Sequence, residues 1–180
     1  MKICDDVMPK CLQDDLEDYF MGPYASWTFV RDSTYGNRLD ALSDTQVPSF
    51  AITCLVEGSI INEAIFSISR PILLCLCNKF DIDYSSVLRM RYGMHIPTPA
   101  PEHNNPHIDF NVPHTTALYY LNDSDGDTFF FGNDGSIINR VTPKKGRAVV
   151  FNGSIKHASS VPTKDPRIVL NLNFRGIQIE

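Results

Sequence analysis

The sequence lacks any excess of positive charge: 16 Lys and Arg stand against 21 Asp and Glu, for a net charge of -5. The basic residues are scattered apart from PKKGR at 143–147, so there is no cationic stripe for a phosphate backbone, and nucleic acid is not an expected partner. Long apolar runs are missing too. The longest, ILLCLC at 72–77, falls far short of the roughly 20 residues that cross a bilayer. MKICDDVMPK at 1–10 sets acids where a secretory leader needs its apolar core. These absences predict an intracellular, cytoplasmic protein with no membrane partner. The five cysteines (Cys4, Cys11, Cys54, Cys75, Cys77) are odd in number and contain no Cys-x-x-Cys, which argues against a disulfide framework. Cys75 and Cys77 make half a metal site with no second pair nearby. Internal repeats and low-complexity tracts are also absent.

What is present suits one folded domain over residues 1–180, since 43% hydrophobic and 21% charged residues are ordinary for a globular chain. Helical spacing of Leu12, Leu16, Tyr19 and Phe20 behind Pro9 predicts a helix over 10–20. SWTFV at 26–30 and PSFAITCLVE at 48–57 read as strands, with Phe50, Ile52, Cys54 and Val56 on one side of the second. The polar stretch between them reads as a long loop, and with Trp27 it is a candidate lid. From Ser59, a candidate N-cap, an apolar stripe through Ile60, Ile61, Ala64, Ile65 and Ile68, continuing past Pro71 through ILLCLCNKF, predicts a long core helix kinked or interrupted at Pro71.

Residues 1–85 therefore read as support, and 86–176 as something different. Short alternating segments predict strands at 87–94, 107–112, 116–121, 128–131, 136–141, 147–151, 157–161 and 167–174. The fold class expected is mainly β with N-terminal helices (α+β): a jelly roll or barrel with helices packed on one sheet.

Within that β region, NNPHIDF places His107 and Asp109 two residues apart, and a strand would point both to one face. The last strand sorts in the same way: Arg167, Val169, Asn171 and Asn173 on one face, Ile168, Leu170, Leu172 and Phe174 on the other. A polar face carrying an arginine on a central strand implies a polar cavity. His157, at the start of another strand, supplies a third ligand. Two imidazoles and a carboxylate form the facial set that suits Fe(II) with open positions, and Arg167 would grip a carboxylate through paired hydrogen bonds.

His107-Ile-Asp109, His157 and Arg167, with ALYYLND, GDTFFF, PKKGRAVVF, KHASSV and RIVLNLNF in that order, resemble the Fe(II)- and 2-oxoglutarate-dependent dioxygenases. The likeness is to their prolyl-4-hydroxylase-like branch, of the small phage and bacterial type. The resemblance covers about 87–174 and implies a double-stranded β-helix. It implies iron on His107, Asp109 and His157, with the C5 carboxylate of 2-oxoglutarate on Arg167 helped by Tyr120. Tyr92 matches a second pocket tyrosine. Fe(II), 2-oxoglutarate and O2 are the implied cofactors, with ascorbate as an additional candidate. The implied reaction is hydroxylation of a C–H bond with release of succinate and CO2. The substrate class stays open among small molecules, peptides and proteins, with prolyl groups included. Retention of Asp109 favours hydroxylation, because halogenating relatives lose that carboxylate.

Simpler readings stand beside these. His103 and His114 read as loop residues flanking the motif, and NDSDGD at 122–127 as a hairpin turn rather than a calcium loop. PKKGR reads as solvated, with Gly146 making a turn. Arg89 and Arg91 share a face and either steer an acidic substrate or, the simpler account, lie on a solvated outer face. The alternative for the whole chain is a cupin-like jelly roll that binds a metal or ligand without redox chemistry.

Overall fold

Strand alternation sets the architecture, and two sheets carry it. A computed structural model describes residues 1–31, 47–99 and 102–179. The larger sheet is antiparallel, in the order β1 (Lys2–Cys4), β9 (Ala148–Asn152), β6 (His114–Tyr120), β11 (Arg167–Arg175), β5 (Val87–His95), β3 (Ser49–Val56) and β2 (Thr28–Val30), with β4 (Ser59–Ile60) paired to β3. The smaller sheet runs β10 (Lys156–Ser159), β7 (Thr128–Phe131), β8 (Ile137–Val141). This is the double-sheet arrangement expected from the strand pattern, and β11 is a central strand between β6 and β5.

Two helices cover one face of the larger sheet. Helix α1 (Lys10–Met21) starts just after Pro9, and α2 (Glu63–Phe80) starts at Asn62, whose side chain accepts a hydrogen bond from the Ile65 amide at 3.1 Å. The N-cap is therefore not Ser59, which pairs in β4 instead. Nor does Pro71 interrupt α2. The carbonyl deprived of its donor belongs to exposed Ser67, where water can serve it. Beneath the helices Ile168, Leu170, Leu172 and Phe174 of β11 are fully buried with Leu73, Leu76, Met90 and Phe20 in one continuous core. On the order of 1.5–3 kcal/mol per fully buried large apolar side chain makes this layer the main source of stability.

Several local expectations change. A register shift between Thr53 and Leu55 breaks the alternation of β3, so Cys54 stays buried while Val56 is exposed beside Arg89. No strand forms over 107–112, where His107 makes only an isolated bridge to His157. PKKGR is paired rather than solvated: Arg147 and Lys144 bind Asp5, and Lys145 binds Asp14 and Glu17 of α1, fastening the N-terminal strand β1 and helix to the sheet. Gly146 does make the turn, at φ +79, and a side chain there would run into Gln13. The NDSDGD acids are satisfied internally, Asp123 by the Lys145 amide, Asp125 by Thr163 and Asp127 by Arg140, as befits a turn. All five cysteines are free. Among the described residues no helix is long and apolar enough to cross a membrane. The expected lid falls almost wholly in 32–46, outside the described residues.

Candidate active site

The inner face of the larger sheet, opposite the helices, collects the polar residues. The bridge between His107 and His157 is a reciprocal pair of backbone hydrogen bonds, 3.0 and 2.9 Å, which holds the two rings with centroids 4.9 Å apart. Each ring is then fixed by its own chain. Nδ1 of His107 faces the Asn105 carbonyl at 3.1 Å, and Nδ1 of His157 faces that of Ile155 at 3.2 Å. A carbonyl only accepts, so Nδ1 carries the proton in both rings and Nε2 offers its lone pair. Burial pushes the His157 pKa down to about 4, against the pull of Asp109, so the ring is neutral at physiological pH.

Asp109 completes the set, and one ligand atom from each of the three residues lies within 4.8 Å of the other two. Its carboxylate sits 3.7 Å from His157 Nε2 and is held by four side chains. Arg89 donates to Oδ1 at 2.6 Å, Asn171 to both oxygens at 3.2 Å, Asn173 to Oδ2 at 3.0 Å and Thr116 to Oδ2 at 3.4 Å. Burial opposes ionisation there, but the Arg89 charge and the Asn173 amide favour it, and Asp109 stays far below the usual carboxylate range. Two imidazoles and an ionised carboxylate are the donor set that suits Fe(II).

A second polar group lies further along β11. Arg167 is buried, donates from Nη2 to Thr128 Oγ1 at 2.9 Å, and stands over the Tyr120 ring with its guanidinium carbon 5.6 Å from the centroid. The Tyr120 hydroxyl is 2.8 Å from the same Thr128 oxygen. No carboxylate of the described residues pairs with this guanidinium, and its Nε has no partner. Burial lowers the Arg167 pKa, yet a guanidinium remains charged in proteins. An unanswered buried cation with a free N–H is a receptor for an anion. His95, its neighbour on β5, has an unpartnered Nδ1 and is held neutral by burial, its pKa pushed down to about 3.

The structure thus brings together His107, Asp109 and His157, and places Arg167 with Tyr120. Tyr92 is a correction. It points to the opposite face, where its hydroxyl is 2.6 Å from Ser69 of α2 and its ring stacks on Phe20 of α1 at 4.0 Å. Arg89 is the reverse case: it is no outer-face residue but the partner of Asp109. The sequence does carry the signal, because Leu88, Met90 and Tyr92 form an apolar face like that of β11, which leaves Arg89 and Arg91 for the cavity. His114 is not a loop residue but the buried first residue of β6, with Nδ1 on the Val112 carbonyl at 2.8 Å. His103 lies outside the strands and packs edge-on to Phe131 at 4.9 Å.

Residues 91–175 match the family model of the 2OG-Fe(II) oxygenase superfamily. No curated protein matches the chain. Among solved structures, a prolyl-4-hydroxylase from Pseudomonas putida superposes with a TM-score of 0.61 at 16% identity, covering 97% of this chain and 91% of that one. A Trichoplax adhaerens prolyl hydroxylase, solved with a hypoxia inducible factor peptide fragment, gives 0.65 at 13% identity, over 97% and 82%. The alpha ketoglutarate dependent epimerase SnoN from nogalamycin biosynthesis gives 0.65 at 12%, over 97% and 77%. At these identities the likeness is one of fold, and the fold is the oxygenase double-stranded β-helix. Residues 91–175, which contain His107, Asp109, His157 and Arg167, are thus similar to the 2OG-Fe(II) oxygenase superfamily, and the fold agrees with that match.

Proposed function

We propose that this chain is an Fe(II)- and 2-oxoglutarate-dependent dioxygenase that hydroxylates a C–H bond, releasing succinate and CO2. One observation carries the reading: a converged His, Asp, His donor set lies against the same sheet face as a buried arginine that forms no ion pair among the described residues. His107, Asp109 and His157 would hold the metal. Arg167, with Tyr120 and Thr128 ordering it, would hold the far carboxylate of the cosubstrate. When bound, iron and 2-oxoglutarate supply the oxidising power that O2 alone lacks toward a C–H bond.

The chain's own share is placement. Two backbone carbonyls take the Nδ1 protons, so each histidine would meet the metal through Nε2. Arg89 and the two asparagines keep Asp109 ionised and stop it from rotating. Burial of Tyr120, Thr128, His157 and Arg167 keeps bulk water from this end of the site. The likeness to prolyl hydroxylases makes free proline and prolyl peptides the first substrates to try. The SnoN likeness favours a second outcome at the same site, inversion of a carbon centre, and the product separates the two because only hydroxylation adds an oxygen atom.

The test is an anaerobic titration of the protein with Fe(II) and then 2-oxoglutarate, following the visible charge-transfer band of the chelate, with Arg167→Ala as control. The band should appear in the wild type, and the variant should need far more 2-oxoglutarate. A folded, metal-loaded protein that shows no band would leave a redox-silent, cupin-like binding site as the account.

A further inference from the structure

The inner wall of the sheet carries three arginines, and only one is matched. Arg89 is answered by Asp109, and Arg167 awaits the far carboxylate of the cosubstrate. Arg91 is left over. It lies on β5 one same-face step from Arg89 and so faces the same cavity, yet it makes no hydrogen bond or ion pair among the described residues. It is half-buried, and burial together with Arg89 works against its charge, which Asp109 favours only from beyond ion-pair distance.

Its cross-strand partner is equally unsatisfied. Arg91 stands opposite Asn171 of β11, whose Nδ2 is committed to Asp109 and whose Oδ1 is buried with no partner. A free cation and a free acceptor therefore sit side by side, next to the metal ligands. They are not a second hold on the far carboxylate. Arg167 pairs with His95, four residues further along β5 than Arg91, which is about 13 Å of strand. Exposure separates the two ends as well. Arg167, His95 and Tyr120 are buried, whereas Arg89, Arg91, Asn171 and His107 are half-buried, so the unmatched pair lies at the more exposed end of this face.

Resting on the oxygenase reading, we infer that Arg91 and Asn171 are the recognition site for the primary substrate. The substrate presents a carboxylate to Arg91 and an N–H or O–H donor to Asn171 Oδ1, with the oxidised C–H bond a few carbons away. That is the chemistry of an α-amino or α-hydroxy acid, or of a peptide's C-terminal residue. A buried acceptor and a half-buried cation are both costly while empty, and one ligand of this kind satisfies both.

The test uses full-length protein loaded with Zn(II) and 2-oxoglutarate, so that binding is read without turnover. Calorimetry and ligand-observed NMR compare acids with their neutral amides: L-proline with L-prolinamide, N-acetyl-L-proline with its amide, and L-lactate with lactamide. At least one acid should bind about tenfold or more tightly than its amide. Arg91→Met should abolish that preference, Arg91→Lys should keep part of it, and the 2-oxoglutarate affinity of both should stay within about threefold of wild type. The inference falls if acids and amides bind alike, if no acid binds, or if the preference survives in Arg91→Met. It falls too if that variant loses about tenfold in 2-oxoglutarate affinity, since Arg91 would then serve the cosubstrate. Failure of the wild type to take Zn(II) and 2-oxoglutarate would instead strike the oxygenase reading beneath it.

Discussion

The two faces of the larger sheet are made by the same strands and do opposite things. On β11 the outer residues Ile168, Leu170, Leu172 and Phe174 are buried under the helices, while the inner ones include Arg167, Asn171 and Asn173. On β5 the outer face is Leu88, Met90 and Tyr92, and the inner face is Arg89, Arg91 and His95. The outer face is almost wholly apolar, as a layer that only has to exclude water should be, with the buried Tyr119 hydroxyl its unpartnered exception. The inner face keeps unmatched groups, among them Arg167 Nε, His95 Nδ1 and Asn171 Oδ1. Buried unmatched polar groups cost free energy, so one sheet sets its stability on one side and tolerates instability on the other.

The widest separation of the two faces comes from ligand removal. His107→Ala should take turnover to background and abolish Fe(II) binding, with a change in melting temperature of no more than about 2 °C, because His107 is half-buried and supports no apolar packing. Metal titration and calorimetry of the same sample check both halves. A variant that keeps wild-type turnover would remove the metal assignment altogether. Leu170→Ala, one residue type and one face away, should do the reverse. It should lose about 2–5 kcal/mol of stability in urea, while the folded fraction keeps its 2-oxoglutarate affinity.

Arg167→Met sharpens the contrast, because function and stability should move in opposite directions. Loss of a charge-assisted anion contact predicts 2-oxoglutarate binding weaker by about ten- to a hundredfold, measured by calorimetry. Removal of an unanswered buried cation predicts an apo-protein at least as stable as wild type. A stabilised variant with unchanged affinity would assign the arginine some other anion.

These contrasts show what was legible in the sequence and what was not. The division of β11 into two faces was legible, because strand period is local and all four outer residues are apolar. The meeting of His107 with Asp109 was expected for a reason that does not hold, since no strand forms there. They meet because a long-range bridge places His107 against His157 and the following turn returns Asp109 to the sheet. Nothing local encodes such a bridge. Neither does local pattern encode the four donors to Asp109, which come from three strands distant in sequence. β1 was also missed, being three residues long and held largely through its pairing with β9 and the Asp5–Arg147 ion pair. Tyr92, a pocket residue by the resemblance, and Arg89, an outer-face residue by the simpler of its two readings, lie on the reverse faces, each with its own parity class on β5.

The smallest test compares two buried tyrosines that differ only in the face they occupy. Both hydroxyls meet a single side-chain hydroxyl, Tyr92 that of Ser69 on α2 and Tyr120 that of Thr128, which also receives Arg167. Tyr92→Phe should cost about 1 kcal/mol of stability, because Ser69 keeps its bond to the Ile65 carbonyl and only one hydrogen bond is lost. Its 2-oxoglutarate affinity should equal that of wild type. Tyr120→Phe should cost a similar amount but also weaken 2-oxoglutarate, by roughly three- to tenfold, since Thr128 and Arg167 lose the group that orders them. Urea melts and calorimetry on the pair decide it. Equal loss of 2-oxoglutarate affinity in both variants would mean that Tyr92 reaches the cavity after all and that the two faces are coupled through the sheet. A loss confined to Tyr120→Phe would mean that the strands insulate the cavity from the core beneath it.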